Sequence, residues 1–112
     1  MSYFFGYVDV NNDLYVTTDS GTANTSHGFP VNRWTKAASN VKAAVISNED
    51  YDNACDGYID MNGNIYVWRD SMTPILVDTN VKQADSSEQG RLAYVKNDNT
   101  LWLAHISGRI QK

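Results

Sequence analysis

Cysteine, proline, basic clusters and long apolar runs are scarce or absent in this chain of 112 residues. The single Cys55 cannot close an internal disulfide, and no Cys-x-x-Cys or Cys/His cluster has zinc-ligand spacing, so no covalent or metal frame is expected. No apolar run approaches the roughly 18 residues that a membrane span requires. The start MSYFFGYVDV lacks the basic region and long apolar stretch of a conventional signal peptide, so cytoplasmic synthesis without membrane association is expected. Nine Lys and Arg against 13 Asp and Glu leave a formal charge of −4. With no basic patch, the counterion release that drives nucleic-acid affinity has no source, and nucleic acid is not an expected partner. The length fits one domain, residues 1–112.

What is present is one phrase in three versions: GYVDVNNDLYV from Gly6, GYIDMNGNIYVW from Gly57 and AYVKNDNTLWL from Ala93. Tyr7, Tyr58 and Tyr94 open the copies, and Tyr15, Tyr66 and Trp102 stand on the return. Between them lie Asn11-Asn12, Asn62-Gly63 and Asp98-Asn99, residue types that tolerate positive φ. The pattern predicts three β-hairpins, each bending at that pair through a two-residue type I′ turn. A second element recurs as well, since Asn40-Val41-Lys42 with Ala44 matches Asn80-Val81-Lys82 with Ala84. The repeat is read as a Pro-led extended segment (Pro30-Val31, then Pro74-Ile75-Leu76-Val77), the Asn-Val-Lys segment, a polar connection and the aromatic hairpin. Approximate units are 1–29, 30–69 and 74–105, with SNEDYDNACD at 47–56 as an insertion.

The stretch PILVDTNVKQADSSEQGRLAYVKNDNTLWLA resembles one repeat of the regulator-of-chromosome-condensation type of β-propeller. In that family a Pro-led strand and a Val-x-x-Ala strand precede a hairpin that turns on Asp-Gly before Leu-Trp. The Gly-Trp-Gly and Gly-Gln-Leu-Gly signatures are missing here, and Trp68-Arg69-Asp70 stands where Trp-Gly would. About two and a half repeats are too few to close a ring. The resemblance implies propeller-blade-like sheets and carries no activity with it. The expected fold is all-β, built of antiparallel hairpin repeats. One short helix near 33–46 is the competing reading, because Trp34, Ala38, Val41 and Val45 fall at helical spacing among alanines.

Few residues suggest chemistry. Asp9-x-Asn11-x-Asp13 and Asp60-x-Asn62-x-Asn64 imitate the start of a calcium loop, but no Glu follows at the twelfth position, and turn formation is the preferred reading. His27 and His105 have no HExxH, GxSxG or Cys-His context. No catalytic residue, metal ligand or cofactor is expected, and the chain is read as no enzyme. Asn24-Thr25-Ser26 matches a glycosylation sequon and is read as loop.

Large residues on both sides of each hairpin call for cover on both sides, which points to a protein partner or to homo-oligomers. The candidate contact residues are Phe29 and Trp34 together with Asp50, Tyr51 and Asp52 of the acidic insertion. The expected function is that of a structural or assembly subunit. Its Asn- and Thr-rich composition is similar to that of bacteriophage virion proteins such as capsid decoration, head-fibre or tail components. The alternative is a free binding module, for a glycan or a protein or as a small acidic inhibitor, using loops 17–30 and 47–56.

Overall fold

A computed structural model of the chain describes residues 2–18, 28–46, 52–53, 55–68, 71–87, 91–105 and 110–111. The first strands are β1 (Ser2–Val8), β2 (Leu14–Thr18), β3 (Thr35–Ala38), β4 (Val41–Ile46), β5 (Asp52–Asn53) and β6 (Cys55–Asp60). They are followed by β7 (Ile65–Val67), β8 (Ile75–Asp78), β9 (Val81–Ser87), β10 (Arg91–Lys96), β11 (Leu101–His105) and β12 (Ile110–Gln111). These make three four-stranded sheets in the orders β3-β2-β1-β5, β4-β6-β7-β8 and β12-β11-β10-β9. We call them first, second and third.

Each sheet is built on one of the aromatic hairpins, with Tyr7 opposite Tyr15, Tyr58 opposite Tyr66 and Tyr94 opposite Trp102. The Asn-Val-Lys strands lie on one side of the second and third hairpins, β4 on β6 and β9 on β10. The Pro-led strand β8 lies on the far side of the second hairpin, against β7. A Pro-led segment and the Asn-Val-Lys strand after it therefore belong to different sheets. The chain passes from one sheet to the next at Asn40 and Asn80, which hold φ of 59° and 57°.

The first sheet has no Asn-Val-Lys strand, and β5 takes that side of β1 through a short parallel pairing, Ser2 with Asp52 and Tyr3 with Asn53. Elsewhere the named strands pair antiparallel.

Three expectations are corrected. The helix near 33–46 does not form, and the described residues contain no helix at all. Asn40 in the left-handed region interrupts the run, so Trp34 and Ala38 are never in phase with Val41 and Val45. The β-branched Val41 and Val45 enter a strand, where their χ1 stiffness costs little.

The hairpin turns, secondly, hold three residues and not two. Asn12 N–H donates to Asp9 O at 3.0 Å while Asp9 N–H donates to Asp13 O at 2.9 Å, and the same pair of bonds closes 60–64 and 96–100. Positive φ falls only on the second predicted residue, at Asn12 (64°), Gly63 (85°) and Asn99 (67°). This is the hairpin loop in which a turn is followed by one left-handed residue.

Thirdly, the propeller-blade reading fails: the three small sheets stay open, and none is closed or curled as a propeller requires. The resemblance of single repeats reflected hairpin chemistry shared by many sheets, not ring geometry.

The core follows from the alternation of side chains along each strand. Val8, Leu14 and Val16 of the first sheet pack against Val41, Tyr58, Tyr66 and Trp68 of the second, with Phe29 added from the connection before β3. On its other face the second sheet sets Val45, Ile59, Ile65 and Val67 against Val81, Leu92, Tyr94 and Ala104 of the third. Both faces of the second sheet are thus covered, and each end sheet is covered on one face.

Candidate functional site

The turns determine how the sheets are joined. Asp9 Oδ1 accepts from the amides of Asn11 and Asp13 at 2.9 and 3.0 Å. Asp60 Oδ1 accepts from those of Asn62 and Asn64, both at 2.9 Å, while Asp60 Oδ2 accepts from Asn64 Nδ2 at 3.0 Å. The Asp-x-Asn-x-Asp/Asn spacing that imitates a calcium loop is a carboxylate holding its own turn. In the third hairpin Lys96 replaces that Asp, and Asp98 Oδ1 accepts from Thr100 N–H at 3.1 Å instead.

Fixed turns present their carbonyls to the next sheet. Val41 N–H donates to Asn12 O and Val81 N–H donates to Gly63 O, each at 2.8 Å. In return Met61 N–H donates to Asn40 O at 2.8 Å and Asn97 N–H donates to Asn80 O at 2.7 Å. Each crossing between sheets therefore carries the same two backbone bonds. This is the physical content of the repeated Asn-Val-Lys: a left-handed Asn whose carbonyl reaches the next turn, then a Val whose amide reaches the previous one. Among the described residues no amide donates to Asn99 O, the third counterpart of Asn12 O and Gly63 O.

A cluster of charge also ties the second sheet to the third. Asp78 Oδ2 accepts from Tyr94 Oη and Asp78 Oδ1 accepts from Lys96 Nζ, both at 2.9 Å. Burial raises the Asp78 pKa, but the hydrogen bonds from Lys96, the Thr79 amide and Tyr94 outweigh it and hold the carboxyl below its usual value. Burial, together with the bond to Asp78, pushes the Tyr94 hydroxyl up. Tyr58 is pushed up to about 12 by burial and by the neighbouring Tyr66 and Asp60. Lys96 Nζ also lies 5.3 Å from the centre of the Trp102 ring, a cation–π contact. The sequence showed no signal for this cluster, because Asp78 and Lys96 meet only through the packing of two sheets.

The outer faces of the end sheets are of opposite kinds. On the first sheet Tyr7 and Tyr15 stack at 5.7 Å and Trp34 stands edge-on to Tyr7 at 4.9 Å. Tyr7 is 47 % exposed and Trp34 51 %, and Phe5, two residues from Tyr7 on the same strand face, is 49 % exposed. Lys36, opposite Tyr15, pairs with Asp13 at 3.4 Å on the rim. On the third sheet the hairpin's outer face is aliphatic, with Ala93 opposite Leu103 and Val95 opposite Leu101, and it is flanked on β9 by exposed Gln83 and Asp85, opposite Val95 and Ala93. Leu101 and Leu103 are 58 % and 49 % exposed.

Of the candidate contact residues, Trp34 is on this outer aromatic face. Phe29 is buried, edge-on to Trp68 at 5.4 Å, because the residues just before β3 fold back over the first core. Asp50 and Tyr51 lie outside the described residues, and Asp52 is described as backbone in β5. Sequence reading missed Phe5, Tyr7, Leu101 and Leu103 as surface residues. The counterparts of Tyr7, Leu101 and Leu103 in the other copies are interior, and such residues are exposed only where no neighbouring sheet covers them.

No group of three or more His, Cys, Asp or Glu among the described residues is placed to hold a metal ion. No helix among the described residues is long and apolar enough to cross a membrane. Comparisons with protein-family models, curated proteins and solved structures gave no match to this chain. The likeness to bacteriophage virion and capsid proteins rested on composition alone and, like the propeller, has no support in these findings.

Proposed function

We propose that this chain is a non-enzymatic assembly module that works through protein–protein contacts on the outer faces of its end sheets. The observation that carries this reading is the aromatic group of exposed Tyr7 and Trp34 with half-buried Tyr15 stacked on Tyr7 and exposed Phe5 beside it. Rigid aromatic side chains gathered on a strand-supported face give large contact area at small entropic cost, which is why Trp and Tyr concentrate at the centres of protein contacts. The ion pair of Lys36 with Asp13 at its edge matches the usual arrangement of an apolar centre and a polar rim.

The test is photo-cross-linking in the cells that make the protein, with p-benzoylphenylalanine in place of Trp34. The expected result is a discrete protein adduct whose partner peptide is identified by mass spectrometry. The same probe in place of Val10, which is 96 % exposed on a turn, should give none. Absence of any protein adduct at position 34, with oligosaccharide binding quenching Trp34 fluorescence, would replace this reading with glycan recognition.

A further inference from the structure

We propose that a second copy of this chain covers both open faces, the aliphatic hairpin row on the outer face of the third sheet stacking head to tail on the aromatic outer face of the first sheet of the next copy. This rests on the reading of the end faces as protein contacts and names their partner.

The chain already makes this contact twice. In the first junction the row Val8, Leu14 and Val16 meets Tyr58 and Tyr66 of the following sheet. In the second the row Ile59, Ile65 and Val67 meets Tyr94 and Trp102. The outer face of the third sheet presents the next version of the first row, Val95, Leu101 and Leu103, at the same hairpin positions. The outer face of the first sheet presents the missing version of the aromatic row, Tyr7 and Tyr15. Their stack at 5.7 Å and 20° repeats the Tyr58–Tyr66 stack at 5.1 Å and 24°, which the first sheet covers. On the hairpins each open face thus has the chemistry that its counterpart buries inside the chain, while beside the third hairpin Asp85 stands where the buried Val45 stands beside the second. No junction in the described chain sets aromatic row on aromatic row or aliphatic on aliphatic, so a two-fold dimer has no such precedent here.

The contact is heterologous: it uses two different patches, so copies add in one direction until a ring closes or a filament grows. It is weaker than the internal junctions. Those have two backbone bonds each, through the Asn-Val-Lys segments, and β1 has no such strand beside it to donate to Asn99 O of the preceding copy. Association is therefore concentration-dependent.

The test uses the full chain with Trp34→Glu, which blocks the first-sheet face, and Leu103→Glu, which blocks the third. Both residues are about half exposed, and matching circular dichroism melts with the parent would establish that each variant folds. Light scattering on the parent should show mass rising with concentration above 12.5 kDa. Each variant alone should associate at least tenfold more weakly, the loss expected when a central aromatic or aliphatic anchor is removed. Mixed, the two variants should form a species of two chains and nothing larger, since one good face remains on each.

Association of Leu103→Glu at parental strength would overturn the proposal in favour of a first-sheet dimer, and a mixture that stays monomeric would also overturn it. A parent that is monomeric throughout, yet gives an adduct to a different protein at position 34, would sink this inference while leaving the proposed function intact. Loss of both signals would sink both.

Discussion

Asn40 and Asn80 adopt φ of 59° and 57°, a conformation that costs most L-residues about 1–2 kcal/mol. Asn is tolerated there because its short polar side chain can satisfy itself locally, and Gly would be tolerated for want of a Cβ. Asn80→Ala should therefore destabilise the chain by about 1 kcal/mol, whereas Asn80→Gly should stay within about 0.5 kcal/mol of the parent. Urea denaturation with an unchanged m-value checks both. Equal losses for Ala and Gly would show that the Asn side chain, not the backbone angle, matters. The recurrence of Asn-Val-Lys was visible in the sequence, and so was its preference for strand. Its purpose was not, because the bonds it makes run from backbone to backbone, and no side chain records them.

At the scale of elements, hairpin existence was legible while register and turn type were not: a two-residue turn sets Ile59 opposite Tyr66 and Tyr58 opposite Val67, but Ile59 lies opposite Ile65 and Tyr58 opposite Tyr66. The third loop residue shifts the pairing and sets Tyr7 opposite Tyr15 and Tyr58 opposite Tyr66. In the first two hairpins that loop is braced by Asp9 and Asp60, whose carboxylates collect amides two and four residues on, and the third makes the same loop with Lys96 in their place. Competition between helix and strand over 33–46 was settled by the same left-handed Asn. Between elements, Asp78 of β8 joins Tyr94 and Lys96 of β10, and this linkage has a pH signature.

The folded pKa of Asp78 lies below its unfolded value. Its contribution is then fully present above the unfolded pKa of about 3.9 and is lost as pH falls through the lower folded value. Asp78→Ala should cost about 1–3 kcal/mol at neutral pH, since it strands a hydroxyl and an ammonium that are mostly shielded from water. Titrated below pH 4, the parent should lose stability more steeply than the variant. Parallel acid limbs in urea-midpoint measurements would remove Asp78 from the linkage between sheets.

At the scale of the molecule, the radius of gyration of 13.1 Å matches the value of about 13 Å for a compact domain of this length. Yet the interior is divided: one core lies between the first and second sheets, the other between the second and third. Such a stack behaves as a short linear array in which each unit is held by its neighbours, so an end sheet can open while the rest stays folded. Leu14, fully buried, belongs to the first core alone. Leu14→Ala should cost about 3 kcal/mol through lost burial and a residual cavity. The loss should be local: hydrogen exchange should quicken at the paired amides of β1 and β2 by about two orders of magnitude, the factor that a 3 kcal/mol drop in opening energy implies. Amides of β9, β10 and β11 should keep parental rates, because their core contacts are made to the second sheet and do not pass through Leu14. A uniform rise in exchange across all three sheets would mean that the two cores unfold together, and that Val41 and Val45, which stand on the same strand β4 in different cores, couple them into one unit.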